Sequence, residues 1–288
     1  MNQPMKSHPL NRRDFLKSTT LFTAACAVAD ASMAAAERTG RIPIGLQLYA
    51  VRGEFEKDVP GTLKSVAACG YKGVEPWGYA GTPNVYKDYS AKQLRQMFDD
   101  NGLKCCGIHL DLKALEDAQF ERTIENNQVL GNRFLIVAAA QKHMSSLDGI
   151  KILATILNRS AEKARPHHML VGYHAHGFDF VKHDGRFAWD HLFSQVEPSV
   201  IMQMDVGNTL GGGGDPIGML RKFPGRTLTI HIKRHEDKTF DSPYYKEVFS
   251  LCETTGKTEW YVVEEGGRNG MGFEVPKDAL EALKKAGK

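Results

Sequence analysis

Four short apolar runs between Leu170 and Glu265 each end in side chains that can bind a metal or move a proton. They are VGYHAH with His174 and His176, VIMQMD with Asp205, LTIHIK with His231 and Lys233, and YVVEE with Glu264. Glu75 and His109 close two earlier runs of the same kind. Imidazoles mixed with carboxylates suit a divalent ion of intermediate hardness: Mn²⁺, Zn²⁺, Co²⁺ or Fe²⁺. An all-oxygen Mg²⁺ or Ca²⁺ site would not choose two imidazoles, and the spacings are not those of Cys-rich structural zinc. A mixed site with open positions can polarise a carbonyl. A histidine beside it can serve as a proton acceptor near neutral pH.

Residues so far apart in the chain need a scaffold that returns them to one place. Candidate strands end at Tyr49, Glu75, His109, Val137, His174, Asp205, His231 and Glu264, at spacings of 26 to 37 residues. Each interval is long enough for one crossover helix. Strand one is read as residues 41–49, strand three as 103–109, strand six as 200–205 and strand eight as 260–264. Helices are expected over 62–69, from Ala91 behind a Ser90 cap, and over 115–130 before Gly131. Others are expected from Leu147, over 187–196, from Pro216, over 244–252 and over 277–286. Eight such units predict an α/β fold, a closed (β/α)₈ TIM barrel over residues 41–288. An open doubly wound sheet is less suitable, because no glycine fingerprint follows strand one.

Strand alternation sorts the polar groups by face. In LTIHIK the aliphatic side chains Leu228, Ile230 and Ile232 point one way, and His231 and Lys233 the other. Helices cover a barrel's outside, so the aliphatic set faces outward and His231 and Lys233 face the axis. The same parity groups His174 with His176, Gln203 with Asp205, and Val262 with Glu264. Active sites of such barrels lie at the C-terminal ends of the strands, where all of these residues fall. One of them alone would more often be a satisfied core residue; the argument is that they share one end.

Composition excludes other classes. The chain has 288 residues, 42% hydrophobic and 25% charged, with a formal charge of +3. No basic run with interleaved aromatics is present, so nucleic acid is not an expected partner. Cys69, Cys105, Cys106 and Cys252 show no CxxC spacing and read as small buried hydrophobes. The run from Gly211 to Pro216 lacks the Gly-Lys-Ser/Thr ending of a phosphate loop and reads as a mobile active-site loop. Trp77, Tyr79 and Tyr86 could stack on a sugar or pack their own loop.

Residues 11–17, Asn-Arg-Arg-Asp-Phe-Leu-Lys, precede a mild apolar run and then Ala34-Ala35-Ala36. This resembles a twin-arginine export signal over residues 1–36, which implies passage through that export machinery and a periplasmic location. The apolar run is too short for a permanent membrane span. A lipoprotein-like box at Cys26 has Thr23 where an aliphatic residue is usual, so lipidation is not expected.

From Ile44 onward the chain resembles the xylose isomerase-like barrel superfamily, with its sugar phosphate isomerase/epimerase group. The marks are Gly45-Leu-Gln-Leu-Tyr49, Gly73-Val-Glu75, Tyr173-His-Ala-His176, Asp205-Val-Gly-Asn208, Asp215-Pro216, His231-Ile-Lys233 and Val263-Glu264. The resemblance implies one divalent metal ion held by His174, Asp205, His231 and Glu264. The first of these departs from the ketose 3-epimerase pattern, which has Glu there, and the choice between His174 and His176 stays open. Glu264, His176, Lys233 and Glu75 are the candidates for proton transfer. His109, Trp77 and Asn208 are the candidates for substrate contact.

The implied activity is a metal-dependent sugar isomerase or epimerase acting through an enediolate. A lyase or hydrolase of 3-keto-glycosides would use the same chemistry. An exported enzyme would meet free sugars or glycosides rather than sugar phosphates, and it could be a homo-oligomer. A non-catalytic sugar-binding barrel is the competing class. A nuclease would need a larger ligand cluster and a basic face.

Overall fold

A computed structural model describes residues 41–236 and 238–288. The twin-arginine-like segment lies outside the described residues. The strands are β1 (Ile44–Gln47), β2 (Gly73–Glu75), β3 (Lys104–Cys105), β4 (Ile108–Leu110), β5 (Phe134–Val137), β6 (Leu170–His174), β7 (Lys182–His183), β8 (Arg186–Phe187), β9 (Ile201–Gln203), β10 (Thr229–Ile232) and β11 (Trp260–Val263). One parallel sheet runs β10-β11-β1-β2-β3 and a second runs β4-β5-β6-β9. Their edges join. At one seam His231 N–H donates to Met204 O at 2.8 Å and a parallel bridge pairs Asp205 with His231. At the other, His109 N–H donates to Pro76 O at 2.8 Å. With β3 and β4 as halves of one stave, eight staves close into the expected barrel.

The third stave was expected unbroken over 103–109; the structure interrupts it at Cys106–Gly107. A Cβ on Gly107 would lie 2.2 Å from Glu75 Oε1. The break therefore sits where the backbone passes close over a buried carboxylate. Strand one ends at Gln47 rather than Tyr49. Leu48–Val51 turns into a 3₁₀ segment that the helix Arg52–Lys57 continues. The helix expected over 187–196 shortens to Ala188–Phe193, because Phe187 pairs with Lys182 in the β7–β8 hairpin. The last helix begins at Glu274, with Pro276 in the first turn, where a missing N–H costs nothing.

Helix signals in the sequence act as local chemistry requires. Ser90 and Gln93 form a reciprocal capping box ahead of Ala91–Asp100, whose buried face is Ala91, Leu94 and Phe98. Asp205 was read as a strand end. It also caps an unanticipated helix, Val206–Gly211, by accepting from Asn208 N–H at 2.7 Å. Of the glycines that follow, Gly212 and Gly214 pack closely, with added Cβ atoms 2.4 Å from Gly177 O and from the Phe180 ring, whereas Gly213 has open space around it.

The interior of the barrel is layered. Phe134, Ile136 and Ile201 form an apolar cluster with Leu170, Leu228 and Trp260, separate from the large core between staves and helices. Leu228, expected to face outward, joins it because β10 begins only at Thr229 and strand alternation does not reach it. Gly73 leaves room for the Trp260 ring, which a Cβ there would approach to 2.8 Å. Above this floor the inward positions turn polar: Gln47, Glu75, His109, His174, Gln203 and His231 are all buried. Among the described residues no helix is long and apolar enough to cross a membrane, and the four cysteines are free.

Arg226 supports the seam from below, just before β10. Its guanidinium donates to Phe193 O at 3.0 Å, Glu197 O at 3.0 Å and Val200 O at 2.9 Å, and its backbone oxygen accepts from Met202 N–H. The side chain is 7% exposed. Arg226→Met keeps the apolar stem and strands those carbonyls, so it should lower unfolding stability by about 3 kcal/mol. Urea denaturation reads this directly, and a loss under about 1 kcal/mol would contradict the role.

Candidate metal centre

Four staves deliver the central groups. His174 ends β6, Asp205 follows β9, His231 lies in β10 and Glu264 follows β11. One ligand atom from each lies within 4.8 Å of the others, so this group could hold a metal ion. The group contains His174 and not His176. His109, His174 and His231 form an overlapping trio within the same limit.

The distances show how the group is held. His231 Nδ1 lies 3.3 Å from Glu264 Oε2 and 3.9 Å from Asp205 Oδ2. Its other nitrogen, Nε2, is 2.6 Å from Glu75 Oε2. His174 Nε2 is 3.9 Å from Glu264 Oε2, and its Nδ1 is 3.1 Å from Gln203 Oε1. Each imidazole therefore has one nitrogen toward the carboxylates and the other engaged by the protein, the arrangement that orients metal-binding histidines. The carboxylate of Asp205 is fixed by its helix-capping oxygen, Oδ1. Its other oxygen, Oδ2, is buried without a partner. A buried carboxylate oxygen is costly to leave bare. A cation among two imidazoles and two carboxylates would satisfy it, so the donors fit the group that the sequence implies.

Electrostatics divides the same residues. Burial holds the His174 pKa well below its usual value, reinforced by the neighbouring His231 and His109. Burial also brings His176 down to about 4. For His231 burial pulls downward, but Glu75 and Glu264 prevail and raise it to about 10. Burial pushes Asp205 up, against Lys233. Glu264 goes down, because the hydrogen bond and charge of His231 outweigh burial.

The remaining sequence candidates take distinct places. Glu75 is 0% exposed beneath the histidines. Its Oε1 accepts from Gln203 at 2.9 Å and its Oε2 from Gln47 at 2.8 Å. Burial opposes its ionisation, yet His109 and His231 bring its pKa below the usual value. His109 stacks on His231 with centroids 5.2 Å apart and lies 2.8 Å from Gln203 Oε1. Asn208 donates to Ala175 O at 3.2 Å and accepts from Lys233 Nζ at 3.3 Å, so its amide is engaged within the protein. The Lys233 carbonyl takes the Tyr245 hydroxyl.

His176 stands at the rim. Its ring stacks on Phe178 at 5.0 Å and meets His174 edge-on at 4.8 Å. Its backbone N–H donates to Asp179 Oδ2 at 2.7 Å, while Tyr173 holds the other oxygen of Asp179 at 2.9 Å. Its Nδ1 is buried without a partner. Of the aromatics after β2, Trp77 is half-buried, Tyr79 is buried with its hydroxyl accepting from Asn126, and Tyr86 packs on Phe55. Tyr49, read in the sequence as a strand end and not as a site residue, is 44% exposed and meets Trp77 edge-on. Gln47 was missed, and Gln203 was noted only for its parity. Their signal is a polar residue at an inward position of an apolar strand.

The family model for the xylose isomerase-like TIM barrel matches residues 63–286. No curated protein sequence matches. Among solved structures, a sugar phosphate isomerase/epimerase from Parabacteroides distasonis is 21% identical, with a TM-score of 0.70 over 86% of this chain and 97% of that one. An L-ribulose 3-epimerase is 14% identical, with a TM-score of 0.59 over 85% and 96%. A 3-keto-D-glucoside 4-epimerase from E. coli is 14% identical, with a TM-score of 0.58 over 85% and 99%. At these identities the structures attest the fold. By the family model, which covers most of its length, the chain belongs to the xylose isomerase-like TIM barrel family.

Proposed function

We propose that this chain is a metal-dependent isomerase or epimerase of a free sugar or keto-sugar, working through an enediolate. The observation that carries the reading is the convergence of His174, Asp205, His231 and Glu264, with one buried carboxylate oxygen lacking any other partner. These four would hold the ion. When bound, a divalent ion supplies Lewis-acid polarisation of a carbonyl and its neighbouring hydroxyl, which acidifies the hydrogen on the carbon beside the carbonyl.

The chain's own part is proton transfer and orientation. His176 is neutral near pH 7, because burial lowers its pKa, and its Nδ1 has no protein partner. It is the unprotonated acceptor to which the carbon-bound proton is assigned, a weaker base than a free imidazole and so reliant on the acidified carbon. The stack on Phe178 and the backbone bond to Asp179 hold it in place. Return of the proton to the neighbouring carbon, with the hydroxyl proton passing to the former carbonyl oxygen, gives isomerisation. Delivery to the same carbon from the other face, by the Lys233 ammonium, gives epimerisation. Epimerases and a sugar phosphate isomerase/epimerase among the fold relatives support the sugar class. The twin-arginine-like Arg12-Arg13 segment supports action in the periplasm, on sugars or glycosides without phosphate.

One observation favours a second reading at the same site. With His174 where epimerases are expected to have Glu, Glu264 is the single glutamate of the four, and His176 is the free base. One base beside a polarised carbonyl suits β-elimination from a 3-keto-glycoside. Isomerised sugar with no released aglycone supports the first reading; released aglycone supports the second.

Two measurements test the site. Elemental analysis of the purified chain should find about one divalent ion, lost in both His231→Ala and Glu264→Ala. A wild-type chain that takes up none after refilling with Mn²⁺ or Zn²⁺ would sink the enzyme reading and leave a sugar-binding barrel. His176→Ala should keep the ion and lower turnover, read as solvent deuterium exchange into substrate, by about 10²- to 10⁴-fold. Exchange at the wild-type rate would remove His176 from the mechanism.

A further inference from the structure

Two interior amides, Gln47 and Gln203, take no part in the proton transfer above, yet both are fully buried at the centre of the site. An amide has a direction: its oxygen only accepts and its nitrogen only donates. For Gln47 that direction is set by the backbone. Tyr49 N–H, which can only donate, lies 3.1 Å from Gln47 Oε1. The nitrogen of Gln47 therefore faces Glu75 and donates to Oε2 at 2.8 Å. Glu75 Oε1 then lies 2.9 Å from Gln203 Nε2. Turning the Gln203 amide over would set its oxygen against a carboxylate oxygen, acceptor against acceptor. Thr229 Oγ1, 3.3 Å from the same nitrogen, is a hydroxyl and adapts to either. The atom of Gln203 that faces the imidazoles is thus its oxygen, 2.8 Å from His109 Nε2 and 3.1 Å from His174 Nδ1.

We propose that Gln203 is a positioning residue that sets the tautomer of His174, accepting the Nδ1 proton and leaving the Nε2 lone pair toward the carboxylates. Glu75 does the same for His231. It accepts from Nε2 at 2.6 Å, so Nδ1, which faces Glu264 and Asp205, is the nitrogen that gives up its proton and offers the lone pair when a cation enters. The Glu75 carboxylate, which only accepts, thus fixes the polarity on both sides and leaves one nitrogen of each imidazole toward the carboxylates, Nε2 of His174 and Nδ1 of His231. A metal-binding imidazole must offer a lone pair, and the hydrogen bond at its other nitrogen decides which nitrogen that is. The consequence for metal affinity rests on the proposed function; the tautomer of His174 does not.

The test begins with the wild-type chain. Long-range ¹H–¹⁵N spectra of uniformly labelled protein, with His174 assigned by comparison with His174→Gln, should show the Nδ1–H tautomer. In Gln203→Met the acceptor is gone. The His174 signal should move to the Nε2–H form or a mixture, and Zn²⁺ affinity, measured against a chromophoric chelator, should fall about 10- to 100-fold. Gln203→Glu is the rescue. Its new carboxyl can share one proton with Glu75 and still accept from His174, so the Nδ1–H signal should persist. An Nε2–H tautomer in wild type overturns the proposal without any variant. So does an unchanged tautomer in Gln203→Met, or an unchanged Zn²⁺ affinity where wild type binds the ion. A wild-type chain that binds no Zn²⁺ would count against the proposed function, while the tautomer comparison still decides this inference.

Discussion

A carboxylate with no solvent exposure in the middle of a barrel must be answered by donors, because burying a bare charge costs far more than the fold could spare. Glu75 is that carboxylate, and the residues around it are explained by it. Gln47 comes from β1, Gln203 from β9, His231 from β10 and His109 from β4, each within hydrogen-bonding reach of it. The partners come from both sheets, so the group ties together the two halves whose seams close the barrel. The backbone yields to it as well: the third stave breaks beside it, at a glycine whose Cβ would collide with its oxygen.

The barrel thus divides by height. The lower interior is apolar, with Trp260, Phe134, Ile136 and Ile201 filling it and Arg226 bracing its rim through backbone carbonyls. The upper interior is a hydrogen-bonded polar layer, and the side chains that can chelate stand on it. This ordering gives the upper layer its rigidity. Its members rest on a close-packed floor and on one another, so few can rotate without leaving a buried donor or acceptor unmatched. A constellation that must hold ligand atoms a few ångströms apart needs that support.

Much of this was legible in the sequence, and for a definite reason. Parallel staves buried on both faces read as apolar runs, so a His or Asp at the end of one stands out. His174, Asp205, His231 and Glu264 could be found in this way, and strand parity sends their side chains to one interior. Two things were hidden. Gln47 and Gln203 carry no charge and no metal-binding chemistry, and their importance arises only when three-dimensional closure brings Glu75 between them. The dual service of Asp205, capping a helix with one oxygen while the other stays bare, was also hidden. A cap and a ligand are the same letter, and the helix Val206–Gly211 is too short to announce itself by periodicity. The break in the third stave had a signal, Gly107, but its cause lies on β2, more than thirty residues away in sequence.

The charge balance of the polar layer argues independently for a dication. Glu75, Asp205 and Glu264 are three carboxylates in one space, and Lys233 is the lysine whose charge acts on Asp205 and Glu264. The shift of His231 records that excess. Carboxylates draw a proton to His231 against its burial, and burial makes Asp205 reluctant to ionise. Two positive charges at the carboxylate-facing nitrogens of His174 and His231 would balance the remainder, with both imidazoles neutral. An imidazole rather than a carboxylate at position 174 then has a physical sense. A fourth carboxylate in the same layer would leave the site negative even with a dication bound, because the negative charge of Glu75 below is already built into the barrel. Imidazole supplies the ligand atom without adding to that charge.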